Sequence, residues 1–188
     1  TKTWFKVSCR EKKDWLEIEL NLPGKHNVLN ALASIAIAHE LGVSDKNIIK
    51  ALCNFQGISR RFHVRGEIKI NNINLTLIDD YAHHPTEIRS TFEAIRSGWP
   101  AQRLIVIYQP HRFTRMRDLF EDFSDILSQT DRLIVFDVYP AGEEPIPGSD
   151  GRSLCRAIRS RGKVDPIFLE HKESVFEILP DVVKENDL

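Results

Sequence analysis

Two stretches of this sequence gather groups that can do chemistry. Residues 79–93 read DDYAHHPTEIRSTFE, which sets Asp79, Asp80, Tyr81, His83 and His84 at one junction ahead of an amphipathic run. Residues 109–117 read QPHRFTRMR and place His111, Arg112, Arg115 and Arg117 within seven positions. Arginine forks match carboxylate and phosphate, and a helix N-terminus beside them adds amide donors. The second stretch therefore reads as an anion site. Its plain alternative is a solvated helix start paired with Asp118, Glu121 and Asp122, disfavoured because a first helical turn prefers acids to arginines.

Other chemistries find less support. His83 and His84 are adjacent in a turn, where two side chains rarely face one ion, and no HxH or HxxxH pair supplements them. No serine or cysteine stands in an elbow-like setting for nucleophilic catalysis. A third cluster, GKHNVLNAL (24–32), precedes an apolar helix and by itself reads as an N-cap. It is not a phosphate-binding P-loop, and the pattern GxxxxGK[ST] occurs nowhere in the chain.

The elements that must carry these residues follow from periodicity. Residues 3–9 and 15–20 alternate apolar and polar positions around the charged turn REKKD, as a hairpin does. A helix is expected from Lys25 to about Leu41, apolar around most of its circumference and so central to a core, with Gly42 as its stop. Ser44 should cap a short helix to Asn54 that turns Ile48, Ile49 and Leu52 inward. Two strand-like runs flank an Asn-rich turn at 71–74. From there the rhythm becomes strand and helix in alternation. The helices are expected at 85–97, near 116–128, at 151–160 and from about 173 with Pro180 interrupting it. The strands are 103–108, 132–138 and 164–169.

Strands apolar on both faces, separated by helices, imply a parallel sheet covered on both sides. The fold class is therefore α/β: from about residue 60 a Rossmann-like, doubly wound, mostly parallel domain, preceded by a different piece. In such sheets ligands gather beyond the C-terminal strand ends. The stretches 79–87 and 109–117 both follow strands. The loop GEEPIPGSDG (142–151) follows another and reads as a shaped turn or lid.

Composition narrows the classes. The 188 residues are 41% hydrophobic and 28% charged, with net charge −1. Such a composition is globular and gives no general field toward nucleic acid or anionic membrane. A nucleic-acid role for Arg112–Arg117 is further disfavoured by the absence of interleaved basic and aromatic surface motifs. The longest apolar stretch, VLNALASIAIAHELG, is too short to span a bilayer. Cys9, Cys53 and Cys155 are scattered, which suits reduced thiols in a cytosolic protein. The chain opens on strand-like material without methionine and stops at KENDL, as though cut from something larger.

Taken together, LPGKHNVLNALASIAIA, ISRRF, DDYAHHPTEIRST, QPHRFTRMRDLFEDF and DVYPAGEEPIPGSDGRSLCRAI closely resemble the Mur ligases, in the family's order and over nearly the whole chain. The P-H-R-[FY]-T-R block and the double histidine resemble the branch that joins L-alanine to the carboxylate of UDP-N-acetylmuramate in peptidoglycan precursor synthesis. A sister branch that recycles murein tripeptide shares the D-[DF]-A-H-H-P turn but lacks the His–Arg block. A non-catalytic nucleotide- or anion-binding domain is the remaining alternative.

The resemblance implies a bacterial, cytoplasmic, ADP-forming ligase using ATP and Mg2+, in which residues 1–59 end the central ATPase domain and 60–188 form most of the C-terminal domain. The family's last strand would begin at about Asp187. The P-loop, the magnesium ligands and the sugar-binding domain would lie elsewhere in the same enzyme, so this segment alone should be inactive. By the same resemblance His26, Asn27, Asn30, Arg61 and Asp80 would serve the nucleotide, with Asp80 on the ribose hydroxyls. Tyr81, His83, His84, His111, Arg112 and Arg115 would receive L-alanine and the muramyl carboxylate.

Overall fold

The computed structural model describes residues 2–10 and 12–188; Glu11, in the expected charged turn, lies outside them. In chain order the elements are β1 (Thr3–Val7), β2 (Leu16–Leu20), α1 (Lys25–Glu40), α2 (Asp45–Asn54), β3 (His63–Ile70), β4 (Ile73–Asp79) and α3 (Pro85–Gly98). They continue with β5 (Ile105–Tyr108), α4 (Phe113–Asp118), α5 (Phe120–Leu127), β6 (Arg132–Phe136), α6 (Gly151–Ser160), β7 (Ile167–Leu169) and α7 (Val175–Val182). The described residues divide into two compact units. The first runs to His63 and includes Asp79–Tyr81 and Ser90–Ala101; the second holds Val64–Ile78, Ala82–Arg89 and Gln102–Leu188.

In the first unit β1 and β2 form the expected antiparallel hairpin, Thr3 opposite Leu20 and Val7 opposite Leu16. Alternation puts Leu16, Ile18 and Leu20 on the buried face, and Val7, Ile35 and Ile48 join Leu16 and Ile18 in a small core. The helix α1 departs from expectation. It buries Ala31 and Ile35 but leaves Leu29, Ile37 and Leu41 exposed, because the hairpin and α2 cover only one of its faces. In α2, Ile48 is buried whereas Ile49 faces outward, since adjacent helical residues diverge by about 100°. The Ser44 side chain makes no cap bond; its carbonyl accepts from the N–H groups of Asn47 and Ile48 instead.

The second unit is built on a parallel sheet in the order β5-β6-β7. Its middle strand β6 is apolar on both faces, and Leu133, Ile134 and Val135 are fully buried, as a doubly covered parallel strand must be. The helix α5 contributes Phe123, Ile126 and Leu127 to the interior, and α6 contributes Leu154, Cys155 and Ile158. The pair β3 and β4 turns at Asn71 and Asn72, both at positive φ (44° and 68°), which Asn tolerates.

The last residues of the chain lie between β4 and β5. Thr76 N–H donates to the Asp187 carbonyl at 2.9 Å, and Ile105 N–H donates to that of Leu188 at 2.8 Å. Leu75 pairs with Asp187 in a parallel bridge. Arg103 fixes this arrangement, its Nε and Nη2 forking onto the two Asp187 carboxylate oxygens at 2.9 and 2.6 Å.

Three further expectations come out differently. The single helix near 116–128 is two helices, α4 and α5, broken at Leu119 (φ −122°). Arg115 and Arg117 consequently sit in the last turn of a six-residue helix. There the dipole welcomes cations, so the dipole argument against a purely structural arginine group does not hold. Pro180 does not interrupt α7, which runs two residues further; the carbonyl deprived of its donor belongs to the exposed Phe176. The last strand narrows from 164–169 to the three residues of β7.

Candidate active site

In the second unit the loops that leave β5 and β6 are laced together beyond the strand ends. His111 and Tyr139 form a parallel bridge: Tyr139 N–H donates to the Pro110 carbonyl (2.8 Å), and Arg112 N–H donates to the Tyr139 carbonyl (2.9 Å). Pairing that began in the sheet thus continues one step into the loops and fixes where His111 and Arg112 stand. Arg112 is held at φ 72°, ψ 131°. That conformation costs a side-chain-bearing residue about 1–3 kcal/mol. Its carbonyl then accepts from Met116 N–H at 3.1 Å to open α4.

Around this point the rings align. His111 stacks on Tyr139, centroids 5.4 Å apart and planes 27° apart, and meets His83 on another side at 5.7 Å. Arg115 Nη1 donates to the His111 carbonyl (3.1 Å) and lies 3.3 Å from His111 Nδ1. Guanidinium has no acceptor, so Nδ1 must present its lone pair and the imidazole proton sits on Nε2. Burial, with Arg115, His83 and Arg112 adding repulsion, pushes the His111 pKa below that of an ordinary histidine, which keeps the ring neutral.

A carboxylate completes the cluster from the loop 142–151. Glu143 accepts Thr114 N–H at 3.0 Å and Thr114 Oγ1–H at 2.8 Å, and faces Arg112 Nη1 at 3.5 Å. These bonds, chiefly the one from Thr114 N–H, hold its carboxyl below the usual range. Glu143 and Tyr139 were not singled out from sequence. Their one signal was position, just past the C-terminal end of a parallel strand.

His84 has a local task. Its carbonyl accepts Ile88 N–H, and its Nδ1 accepts Thr86 N–H at 3.3 Å, so it closes the N-terminus of α3. Glu87 reaches back to the N–H groups of His83 and His84 at 3.0 and 3.2 Å, as a capping-box acid does.

The remaining predicted residues belong to the first unit. Asp80 accepts a hydrogen bond from Thr91 Oγ1 at 2.5 Å. Tyr81 donates its N–H to the Arg60 carbonyl (2.8 Å), and the Arg60 guanidinium lies 4.6 Å from the Tyr81 ring centre. Arg60 and Phe62, at φ 60° and 45°, flank Arg61 in this tight segment. His26, Asn27 and the exposed Asn30 rise along the first turns of α1, with Asn27 Nδ2 donating to the Pro23 carbonyl at 2.7 Å. The run DDYAHH is therefore split. Asp79–Tyr81 go with the first unit and His83–His84 with the second, where His83 meets His111 beside Arg112 and Arg115.

Among the described residues no group of three or more His, Cys, Asp or Glu is placed to hold a metal ion. Nor is any helix of the described residues long and apolar enough to cross a membrane.

Comparison with known proteins adds independent findings. Residues 60–188 match the family model described as Mur ligase, glutamate ligase domain. The chain is 55% identical over 179 residues to the UDP-N-acetylmuramate–L-alanine ligase of Methylococcus capsulatus, covering 95% of this chain and 38% of that protein. The solved UDP-N-acetylmuramate–alanine ligase of Thermotoga maritima superposes with a TM-score of 0.72 at 31% identity, over 93% of this chain and 36% of that one. A murein peptide ligase from Psychrobacter arcticus gives 0.60 at 26% identity, over 98% of this chain and 37% of that one. The chain thus spans little more than a third of these relatives.

Proposed function

The chain belongs to the Mur ligase family, and from that membership we propose that it is the C-terminal part of a bacterial, cytoplasmic, ATP-dependent ligase joining L-alanine to the carboxylate of UDP-N-acetylmuramate. In this reading residues 1–59 end the central ATPase domain and 60–188 form most of the C-terminal domain. The observation that carries it is the convergence of His83, His111, Arg112 and Arg115 at the C-terminal ends of β5 and β6. The 55% identity to an L-alanine ligase favours this substrate pair.

The chemistry suits such a cluster. The muramyl carboxylate attacks the γ-phosphorus of ATP and ADP leaves; the amine of L-alanine then attacks the acyl carbon and phosphate departs. Negative charge must be held still through both steps, so positioned cations supply most of what is needed. Arg112 and Arg115 hold the anionic groups. Neutral His111, protonated on Nε2, donates a hydrogen bond without adding charge. Asp80 and Asn30, with His26, Asn27 and Arg61, would serve the nucleotide, and Tyr81 and His84 the other substrates. Magnesium would be held by residues outside this segment.

The test is an ADP-release assay on the complete protein with ATP, UDP-N-acetylmuramate and L-alanine. Turnover that requires all three supports the reading. Turnover with murein tripeptide in place of L-alanine, or none with either, overturns it.

A further inference from the structure

We propose that Glu143 is a positioning residue of the anion site, fixing Arg112 and the start of α4 from the neighbouring strand end; this rests on the reading of the Arg–His cluster as a substrate-carboxylate site. The need for such a residue is visible in α4 itself. The helix has six residues, and its N-cap is Arg112, whose side chain makes no cap bond. Good caps carry a short side-chain oxygen that accepts an N–H of the first turn, and arginine has none. Glu143 supplies that oxygen from 29 residues along the chain, taking Thr114 N–H on Oε2 and Thr114 Oγ1–H on Oε1.

The same carboxylate faces the Arg112 side chain. Glu143 Oε1 lies 3.5 Å from Nη1 of the guanidinium, which carries further N–H donors that can meet a ligand. Arg112 is about half exposed, with side-chain exposure of 48%, whereas Glu143 at 19% is largely enclosed. The enclosed acid is the fixed partner and the arginine is the one presented. Two hydrogen bonds from Thr114 favour the ionised form of Glu143, the form that attracts Arg112. A carboxylate inside an anion site lowers its net positive charge. That cost is reasonable only if orientation matters more than raw attraction, as it does where reacting groups must be aligned.

The experiment is a double-mutant cycle in the complete ligase with Arg112→Ala, Glu143→Gln and the pair together. Its readouts are kcat, KM for UDP-N-acetylmuramate, KM for ATP and the thermal midpoint. Arg112→Ala should lower kcat/KM for the UDP-sugar about 100-fold, and Glu143→Gln, acting through it, about 10-fold, each with the ATP KM unchanged. The double variant should then match Arg112→Ala within about twofold. Glu143→Gln keeps a carbonyl for Thr114 N–H, so its thermal midpoint should stay at the wild-type value.

Independent, multiplying losses would overturn the positioning role. So would a neutral Glu143→Gln beside a damaging Arg112→Ala, or a Glu143→Gln loss that raises both KM values alike and lowers the midpoint. A neutral Arg112→Ala would overturn the anion-site reading itself, and the role of Glu143 with it.

Discussion

His111 lies on Tyr139 with ring planes 27° apart and centroids 5.4 Å apart, and the backbones of the same two residues form a parallel bridge. Ring and backbone are thus fixed together, and the ring that faces His83 cannot swing without breaking the stack. An aromatic pair of this kind contributes about 0.5–1.5 kcal/mol beyond its buried area. Tyr139→Ala in the complete protein should therefore raise the KM of the non-nucleotide substrates about 2- to 10-fold, while Tyr139→Phe, which keeps the stack, restores it. Steady-state kinetics with each substrate varied in turn checks this.

Titration of His111 should begin lower than that of a histidine in a short unstructured peptide. Burial is the leading cause and the Arg115 guanidinium the next. A depressed histidine binds its proton more readily in the unfolded chain. Its contribution to stability is therefore intact above the ordinary histidine pKa of about 6.5 and is lost as pH falls from there toward the folded value. Histidine proton resonances followed against pH give the midpoint, and Arg115→Gln should move it upward. An unmoved midpoint would mean that Arg115 does not act on the ring.

Asp80 Oδ2 is engaged by Thr91 Oγ1–H at 2.5 Å, and a carboxylate has a second oxygen with which to accept from a ligand. A charged hydrogen bond contributes about 1.5–3 kcal/mol, so Asp80→Ala should weaken ADP binding about 10- to 100-fold. Thr91→Val, which only loosens the carboxylate, should weaken it less. Calorimetric titration of ADP into the complete protein measures both, and an unchanged affinity for Asp80→Ala rules out the ribose role.

Asp187 is buried, and its carboxylate accepts from Arg103 Nε and Nη2 and from Lys184 N–H. Asp187→Ala would leave Arg103 without its partner and remove the tie holding residues 186–188 between β4 and β5. Removing one member of a buried pair costs about 3 kcal/mol or more, a fall of about 6–12 °C in thermal midpoint. Amide exchange should quicken at Thr76 and Ile105, whose N–H groups donate to the Asp187 and Leu188 carbonyls. Faster exchange confined to other strands would place the tie elsewhere.

Much of the second unit was legible in the sequence because parallel strands buried on both faces must be apolar throughout. RLIVF and its neighbours, separated by helical runs, announce themselves without any contact being known. The hairpin at the start was legible for the complementary reason, since one buried face forces alternation. The helix breaks were not. Leu119 is an ordinary helix former, and nothing local says that α4 must stop there. The outward turn of Leu29, Ile37 and Leu41 was equally hidden, because periodicity records apolar positions but not which of them a neighbour covers.

For the cluster beyond β5 and β6, residue types singled out His83, His111, Arg112 and Arg115 but passed over Tyr139 and Glu143. His83, His84, His111, Arg112 and Arg115 are conspicuous wherever they stand, and strand ends are where a parallel sheet offers room and unpaired backbone groups. Sequence by itself determined the chemistry available: cations for anions, imidazole rings, and no phosphate loop. Tertiary structure decided the geometry. It brought Glu143 to Thr114 across 29 residues, set Tyr139 under His111, and divided one six-residue motif between two units. The reason is physical. Ionisable character belongs to a side chain and is readable singly, whereas hydrogen-bond contact between residues far apart in the chain depends on every element packed between them.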